Sequence, residues 1–281
     1  MKRKPDWLRI ERLPVGEKAS RILNIVSENG IHTVCTGASC PNKGRCFSEG
    51  TATFLILGPN CTRNCSFCNI AHGCASPEDE NEAGRVAEAA GKMGLDFVVI
   101  TSVTRDDLPD RGAGAFARTV RAVKGRLPGA KIEVLTPDFG GRKELLKTVL
   151  DEKPDVFNHN VETVRRLTPV IRSGADYRRS LSLLSMAKEL DRAQVTKSGL
   201  IVGLGEEKEE LRETFADLAS AGVDRLTIGQ YLAPSLKHLK VAKYYSPEEF
   251  DELKEEAEAA GIGAVLSGPF VRSSFHASKF E

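Results

Sequence analysis

From about residue 53 onward, short apolar runs alternate with longer amphipathic stretches. The apolar runs are rich in Val, Ile, Leu and Phe and have the length of buried parallel strands, at residues 53–57, 97–103, 131–135, 155–158, 199–204 and 225–230. The amphipathic stretches predict helices over residues 82–93, 115–126, 143–151, 178–190 and 206–221. Six strand–helix units in series indicate an α/β fold with a parallel sheet and helical crossovers. This periodicity fits an open doubly wound sheet as well as a partial barrel.

The two ends of the sequence lack this alternation. Residues 1–52 contain little core-forming material, so we interpret them as an N-terminal extension packed on the strand–helix domain of residues 53–246. Residues 247–281 form a C-terminal segment, in which Pro247 and Gly261 bracket a predicted helix over 248–260. A further strand is predicted over 264–267, and a polar tail follows it.

Composition narrows the class of protein. The chain has 281 residues, with 40 Lys and Arg against 39 Asp and Glu, and a formal net charge of +1. This balance argues against a nucleic-acid-binding protein, because such domains usually carry a clear basic excess. No stretch approaches the roughly 18 apolar residues of a spanning helix, and no apolar run follows the basic start. We therefore expect a cytoplasmic protein that does not enter the membrane and acts as a monomer.

The cysteines are unevenly distributed. All seven lie between Cys35 and Cys74. A disulfide framework is typical of small secreted chains with spread cysteines, which does not describe this sequence. Clustered thiols in a reducing compartment indicate metal or redox chemistry.

One cysteine triplet follows the first predicted strand, in the run Cys61-Thr-Arg-Asn-Cys65-Ser-Phe-Cys68. In strand–helix architectures, the loops after the strands carry the chemistry, because the strands hold them rigidly at one edge. Three thiolates within eight residues can bind one cluster of irons and sulfides. The alternative is a structural zinc with Cys74 or His72 as the fourth ligand.

A second triplet lies upstream, in Cys35-Thr-Gly-Ala-Ser-Cys40-Pro-Asn-Lys-Gly-Arg-Cys46. Beside the first triplet it indicates a second cluster, because unpaired neighbouring thiols are prone to oxidation. A cubane has four irons, so each triplet is one ligand short.

These motifs resemble those of the radical S-adenosylmethionine superfamily and, over almost the whole chain, those of the lipoyl synthase family. The matching segments are Pro5-Asp-Trp-Leu-Arg, His32-Thr-Val-Cys, Cys40-Pro-Asn, Thr51-Ala-Thr-Phe, Cys61-Thr-Arg-Asn-Cys, Thr101-Ser-Val-Thr-Arg-Asp-Asp-Leu, Asn158-His-Asn-Val-Glu-Thr-Val, Lys197-Ser-Gly-Leu, Gly203-Leu-Gly-Glu, Gly229-Gln-Tyr-Leu and Arg272-Ser-Ser-Phe. The resemblance implies a partial (β/α)6 barrel of the radical S-adenosylmethionine type, with N-terminal and C-terminal extensions packed on it.

The resemblance also implies two 4Fe–4S clusters. Cys61, Cys65 and Cys68 would hold one, with S-adenosylmethionine on its fourth iron. Cys35, Cys40 and Cys46 would hold an auxiliary cluster, which Ser274 completes and which is consumed as the sulfur source. The implied reaction inserts two sulfur atoms at carbons 6 and 8 of an octanoyl-lysine. The implied partners are lipoyl carrier domains, such as the glycine-cleavage H protein or 2-oxoacid dehydrogenase acyltransferase subunits, and a one-electron donor such as flavodoxin or ferredoxin.

Further residues have candidate roles in this scheme. Phe67 is expected near the adenine, with an ordinary loop aromatic as the alternative. Asn160 and Glu162 are expected to bind the ribose hydroxyls or the methionine amino group, with helix capping as the alternative. The motif that contains Gly203, Gly205 and Glu206 ends the fifth predicted strand. The glycines are expected to let backbone approach the adenosine, with Glu206 as a helix N-terminal acid being the alternative.

Weaker assignments concern charged and channel residues. Arg105, Asp106 and Asp107 follow the second strand and form either an ion-pair group or a substrate contact. Gln230 and Tyr231 are placed in the substrate channel. A group of arginines is a candidate docking surface for an acidic carrier domain, although helical arginines are usually just solvated; its members are Arg165, Arg166, Arg172, Arg178 and Arg179.

The sequence departs from the family pattern at a few positions. Phe47 and Phe275 stand where Trp and Tyr are usual, Thr36-Gly37 where acidic residues are common, and Cys74 matches no ligand position. None of these changes removes a ligand. The competing interpretations are another two-cluster enzyme, such as a biotin-synthase-like sulfurtransferase or a maturase, and a non-enzymatic iron–sulfur carrier or zinc-binding module.

Overall fold

The computed structural model describes residues 4–9, 16–49, 51–275 and 277. The strands are β1 (His32–Thr33), β2 (Thr53–Ile56), β3 (Phe97–Ser102), β4 (Lys131–Leu135), β5 (Val156–Asn158), β6 (Val195–Val202), β7 (Arg225–Gln230) and β8 (Ala264–Gly268). The α-helices are α1 (Glu17–Glu28), α2 (Val34–Gly37), α3 (Lys43–Ser48), α4 (Glu82–Met93), α5 (Ala113–Arg126), α6 (Lys143–Leu150), α7 (Thr168–Ile171), α8 (Tyr177–Leu190), α9 (Lys208–Ser220) and α10 (Pro247–Ala259).

The strands follow chain order in one sheet, from β1 to β8. β1 pairs with β2 antiparallel, while the pairs β2–β3, β3–β4, β6–β7 and β7–β8 are parallel. Within the described residues this order has two ends, so the sheet is open. The predicted α/β class is confirmed, and the topology fits the partial barrel that the resemblance implies.

The chain divides into two compact units. The first unit comprises Glu11–Arg63 and Asn69–Phe157, and the second comprises Met1–Ile10, Asn64–Cys68 and Asn158–Glu281. The division into segments 1–52, 53–246 and 247–281 stays a prediction.

The N-terminal segment of the first unit contributes more core than its sequence indicated. α1 buries Ala19 and Ile22 in one cluster with Cys35, Phe47 and Ala52. The expectation that residues 1–52 contain little core-forming material is therefore wrong. Its apolar positions are few, but their helical spacing places them on one face, which packs on the segment that carries the first cysteine triplet.

All six predicted strands are present, with ends shifted by up to four residues, and the expected last strand is β8. The predicted helices are also present, and α4 has the predicted bounds. α10 begins with a capping box, in which the Ser246 hydroxyl accepts the Glu249 N–H and the Glu249 carboxylate accepts the Ser246 N–H. β1 was not predicted, because two residues are too short to show a period.

In the second unit, the parallel strands β6, β7 and β8 end on the same side of their sheet, and the chain after β8 turns back over them. Val271 donates its N–H to the Gly268 carbonyl at 3.1 Å. Trp7, from the start of the chain, donates its indole N–H to the Tyr245 carbonyl at 3.2 Å. No helix in the described part of the chain has the length and apolar character needed to cross a bilayer.

Candidate functional site

In the loop after β2, backbone hydrogen bonds hold Cys61 on both sides. Cys61 donates its N–H to the Ala71 carbonyl at 2.8 Å, and Gly73 donates to the Cys61 carbonyl at 3.0 Å. These bonds form a parallel bridge between Cys61 and His72. The chain therefore leaves β2, runs through the cysteines and returns beside its own start, which fixes the backbone of the first cysteine.

Two backbone N–H groups point at the Cys61 sulfur. Arg63 N–H lies 3.4 Å from Sγ, and Thr104 N–H, from the loop after β3, lies 3.3 Å from it. Donors aimed at a sulfur stabilise negative charge on it, and such bonds set the reduction potential of iron–sulfur clusters. The two N–H groups thus surround the sulfur with which Cys61 would ligate a metal.

A partly buried ion-pair network holds the same loop. The Arg63 guanidinium forms paired hydrogen bonds with Asp106, at 2.6 and 2.9 Å, and with Asp138, at 3.0 and 2.9 Å. Burial opposes the charge on Arg63, but the two carboxylates outweigh it and raise the pKa of this side chain above its ordinary value. Arg63 therefore ties the cysteine loop to the loops that follow β3 and β4.

Cys65 and Cys68 belong to the second unit and are pinned separately. Ser66 uses both its N–H and its hydroxyl to bond the Ile171 carbonyl, at 2.9 and 3.2 Å. Cys68 donates its N–H to the Cys65 carbonyl at 3.0 Å, and the His238 ring lies 3.2 Å from the Cys68 carbonyl. Both sulfur-bearing residues are half-buried, as is Phe67 between them.

The first triplet brings three thiols into one electrostatic neighbourhood. Burial is the main cause that raises the pKa of Cys35 to about 11 and that of Cys46 to about 12. Negative charge on Cys40 raises both values further, and charge on Cys35 raises that of Cys46. Mutual repulsion of this kind means that the three sulfurs lie near one another, and a bound metal centre would reverse its effect.

These pKa values predict slow alkylation of the metal-free protein. The thiolate is the reactive form, so its fraction at pH 8 falls by roughly 100-fold for Cys35 and 1000-fold for Cys46 relative to an ordinary thiol. We expect iodoacetamide to label the exposed Cys74 first and these two last, as read by peptide mass spectrometry. The contribution of these two thiols to the free energy of unfolding of the metal-free protein is complete below about pH 9. This contribution is lost as the pH rises through 11 to 12.

Urea-unfolded protein is the control for this labelling, because all seven cysteines should then react at similar rates. Folded protein in which Cys35 is labelled as fast as Cys74 would contradict the prediction.

Asn160 and Glu162 lie in the segment between β5 and β6. Glu162 has a φ of 63°, an unusual conformation for a residue with a side chain. Its backbone is held on β6, since Glu162 donates to the Gly199 carbonyl at 2.9 Å and accepts from Ile201 at 2.8 Å. Burial raises the pKa of the Glu162 carboxyl, against Arg172 and the Asn160 amide, which lower it. The next helix begins at Thr168 with Leu167 as its N-cap, so neither residue is a cap.

The glycine turn after β6 is closed by Glu206. Its carboxylate accepts the N–H groups of Gly203 and Leu204, at 2.6 and 2.9 Å, and the Tyr245 hydroxyl at 2.9 Å. Gly203 has a φ of 96°, and a Cβ there would lie 2.5 Å from the Lys243 carbonyl oxygen. Glu206 thus shapes the turn, and the helix that follows begins after it, with Glu207 as its N-cap.

Comparison with known proteins decides the family. The profile of the Radical SAM superfamily matches residues 55–218. A lipoyl synthase from Caldanaerobacter subterraneus subsp. tengcongensis is 52% identical over 275 residues, which cover 98% of this chain and 96% of that protein. One from Alkaliphilus metalliredigens is 51% identical over 279 residues, covering 99% and 96%.

The chain belongs to the lipoyl synthase family. It is thus a radical S-adenosylmethionine enzyme with a 4Fe–4S cluster, and a sulfurtransferase. The crystal structure of methylornithine synthase has a TM-score of 0.55 to this chain at 15% identity, and the match covers 91% of this chain and 83% of that one. This likeness supports the shared fold alone.

The donor chemistry fits the clusters of a lipoyl synthase. None of the seven cysteines, all of which lie in the described part of the chain, forms a disulfide, and six of them form the two triplets. Among the described residues, no three His, Cys, Asp or Glu side chains are arranged to hold a metal ion. The fit therefore rests on the convergent thiols of the first triplet and on the two N–H groups aimed at Cys61.

The tail that contains Ser274 forms a turn in the second unit. Phe275 donates its N–H to the Arg272 carbonyl at 2.9 Å, and Ser274 is half-buried. Its role as a ligand beside Cys35, Cys40 and Cys46 stays a prediction. Among the departures from the lipoyl synthase pattern, Phe47 is fully buried against the first triplet's segment, where it serves as core.

Several weaker assignments have structural roles. Arg105 pairs with Asp107 at 2.9 Å, and Asp106 pairs with Arg63, which supports the ion-pair interpretation. Gln230 is 1% exposed and holds the segment after β7, because its amide donates to the Lys243 carbonyl and accepts the Tyr245 N–H. Tyr231 is also buried and donates its hydroxyl to the Leu239 carbonyl.

Sequence reasoning missed Arg63, Thr104, His238 and Ser273. The position of Arg63 between two predicted ligand cysteines was a signal in the sequence, because a charged side chain in such a loop needs acidic partners. Thr104 acts through its backbone N–H, which no side-chain pattern reveals.

Proposed function

We propose that this protein converts an octanoyl-lysine on a carrier domain into a lipoyl group by inserting sulfur at carbons 6 and 8. The main support is identity of about 50% to lipoyl synthases over nearly the whole chain. Packing with α1 also positions the segment of the first triplet, and hydrogen bonds position that of Cys61, Cys65 and Cys68.

Cys61, Cys65 and Cys68 would hold the cluster at which S-adenosylmethionine is cleaved. When bound, the two groups supply a 5′-deoxyadenosyl radical, which can break the unactivated C–H bonds of the octanoyl chain. The protein's own contribution is to fix the ligands and to bind the cosubstrate. Asn160 and Glu162 would bind its polar groups, the glycine turn closed by Glu206 would admit the adenosine, and Phe67 would lie near the adenine.

Cys35, Cys40, Cys46 and Ser274 would hold the auxiliary cluster, which enters this scheme as the sulfur-donating substrate. The raised thiol pKa values mean that binding of this cluster displaces protons from Cys35 and Cys46. An alkoxide is a harder ligand than a thiolate, so the iron at Ser274 is expected to leave more readily when the sulfur is transferred.

The proposed partners are octanoylated H protein or dehydrogenase acyltransferase subunits, and flavodoxin or ferredoxin as the reductant. The candidate arginine surface is smaller than its sequence indicated. Arg172 is buried, and Arg179 donates to the Gly174 carbonyl. Arg165, Arg166 and Arg178 are exposed, the first two in ion pairs with Asp217 and Glu210. We also propose a monomer in the cytoplasm, where a reducing environment keeps the seven thiols from forming disulfides.

The decisive experiment is an anaerobic assay of protein reconstituted with iron and sulfide. Octanoylated H protein, S-adenosylmethionine and dithionite should yield lipoylated H protein by mass spectrometry, with one 5′-deoxyadenosine for each hydrogen removed. Two clusters predict about eight irons per chain.

The alternatives predict other outcomes. Sulfur insertion into dethiobiotin, with the H protein left unmodified, would favour the biotin-synthase-like activity. One zinc per chain without binding of S-adenosylmethionine would contradict the proposed function.

A further inference from the structure

The tail after β8 is seated closely on the strand ends of the second unit. A Cβ at Gly229, near the end of β7, would lie 2.1 Å from the Val271 carbonyl oxygen. A side chain at that position would therefore displace the tail. The turn that follows places Ser273 beside the end of β5.

The Ser273 hydroxyl bridges two asparagines. It accepts a hydrogen bond from the Asn158 side-chain amide at 2.9 Å and donates one to the Asn160 side-chain oxygen at 2.9 Å. Asn158 is 0% exposed and Asn160 8% exposed, so water does not readily replace these bonds. One hydroxyl of the tail thus fixes which way the Asn160 amide faces.

This orientation reaches Glu162. With its oxygen held by Ser273, Asn160 directs its NH₂ group at the Glu162 carboxylate, at 3.0 Å. The close approach needs Gly199, because a Cβ there would lie 2.7 Å from the Asn160 side-chain oxygen. The bond from Asn160 favours the ionised form of Glu162, against the burial that raises its pKa.

We propose that Ser273 is a positioning residue that links the seating of the Ser274 tail to the binding of S-adenosylmethionine at Asn160 and Glu162. The inference rests on the proposed function, which places the cosubstrate at these two residues and the auxiliary cluster at Ser274. When the tail leaves, Asn160 loses the partner that orients its amide, and Glu162 loses its donor. Coupling of this kind is reciprocal, so S-adenosylmethionine in turn favours the seated tail.

The test measures the affinity for S-adenosylmethionine by equilibrium dialysis, without turnover, in protein that contains both clusters. Ser273→Ala removes both hydrogen bonds, and we expect its Kd to rise by roughly 5- to 30-fold. Ser273→Thr keeps a hydroxyl and should stay within about 3-fold of the wild type. The matched control is Ser267→Ala, which removes a hydroxyl bonded to the Phe250 carbonyl at 2.7 Å in the same unit.

A second measurement tests the reverse direction. Iron release from the auxiliary cluster to a chelator should slow when S-adenosylmethionine is added to the wild type or to Ser267→Ala. In Ser273→Ala this protection should disappear. Gly199→Ala, which displaces Asn160 and leaves the tail sequence intact, should weaken binding in the same way and serves as the second route if Ser273→Ala folds poorly.

The outcomes separate the two claims. A wild-type protein that binds no S-adenosylmethionine would overturn the proposed function itself. A wild type that binds, with an unchanged Kd in both Ser273→Ala and Gly199→Ala, would overturn the link alone.

Discussion

Replacing Cys65 by alanine is expected to abolish formation of 5′-deoxyadenosine from S-adenosylmethionine. Three thiolates are needed to leave one iron of a cubane free for the cosubstrate, and the residue pinned beside the Ser66–Ile171 bonds would no longer supply its sulfur. No acidic or basic side chain can take the place of the radical, because the C–H bonds of an octanoyl chain are unactivated. Product analysis by liquid chromatography measures the loss.

Cys74→Ala is the matched control for this change, since Cys74 lies six residues beyond the triplet, is exposed and matches no ligand position. We expect it to keep full activity. In Cys65→Ala the iron content should fall from about eight to about four per chain, because the first triplet is unaffected. Retained cleavage of S-adenosylmethionine in Cys65→Ala would rule out the assigned cluster site.

Arg63→Met is expected to lower the free energy of unfolding of the metal-free protein by about 3–5 kcal/mol. Methionine fills much of the same space but leaves Asp138, whose side chain is 1% exposed, without its cation. A buried carboxylate that loses its charged partner is costly, so this single change should outweigh most surface substitutions. Urea unfolding followed by circular dichroism measures the difference, and retention of cluster iron should fall with it.

Two further variants test the cause. Arg118 pairs with Glu78 through side chains that are 44% and 32% exposed, so Arg118→Gln should cost less than about 1 kcal/mol. Adding Asp138→Asn to Arg63→Met removes the buried negative charge that Arg63 had balanced and should restore part of the lost stability. A double variant that is no more stable than Arg63→Met would show that packing, rather than charge, accounts for the loss.

The sequence indicated most of the regular structure, because buried parallel strands and amphipathic helices have distinct periods. The bounds of α4 were predicted to the residue, and Gly94, with a φ of 67°, is its C-cap. α1 was not predicted although Ala19, Ile22 and Ile25 follow a helical spacing, because it precedes the strand–helix alternation, and the packing of Ile22 with Cys35 and Phe47 shows that this face forms a core.

The candidate site was also predictable from the sequence only in part. Cysteine spacing is local, so both triplets can be read directly. The partners of Arg63 lie 43 and 75 residues away in the chain, and no local pattern could select Asp106 and Asp138 from the other acids. Glu206 was placed near the adenosine from its motif, whereas its carboxylate closes the turn, which only the positions of the neighbouring N–H groups reveal.

The bridge between Ser273 and Asn160 also constrains when the site can be completed during synthesis. The two residues are 113 positions apart, and ribosomes add about 5–20 residues per second. Roughly 6 to 23 seconds therefore pass between the appearance of Asn160 and that of its partner. A nascent chain that still lacks Ser273 is therefore expected to bind S-adenosylmethionine poorly throughout this interval.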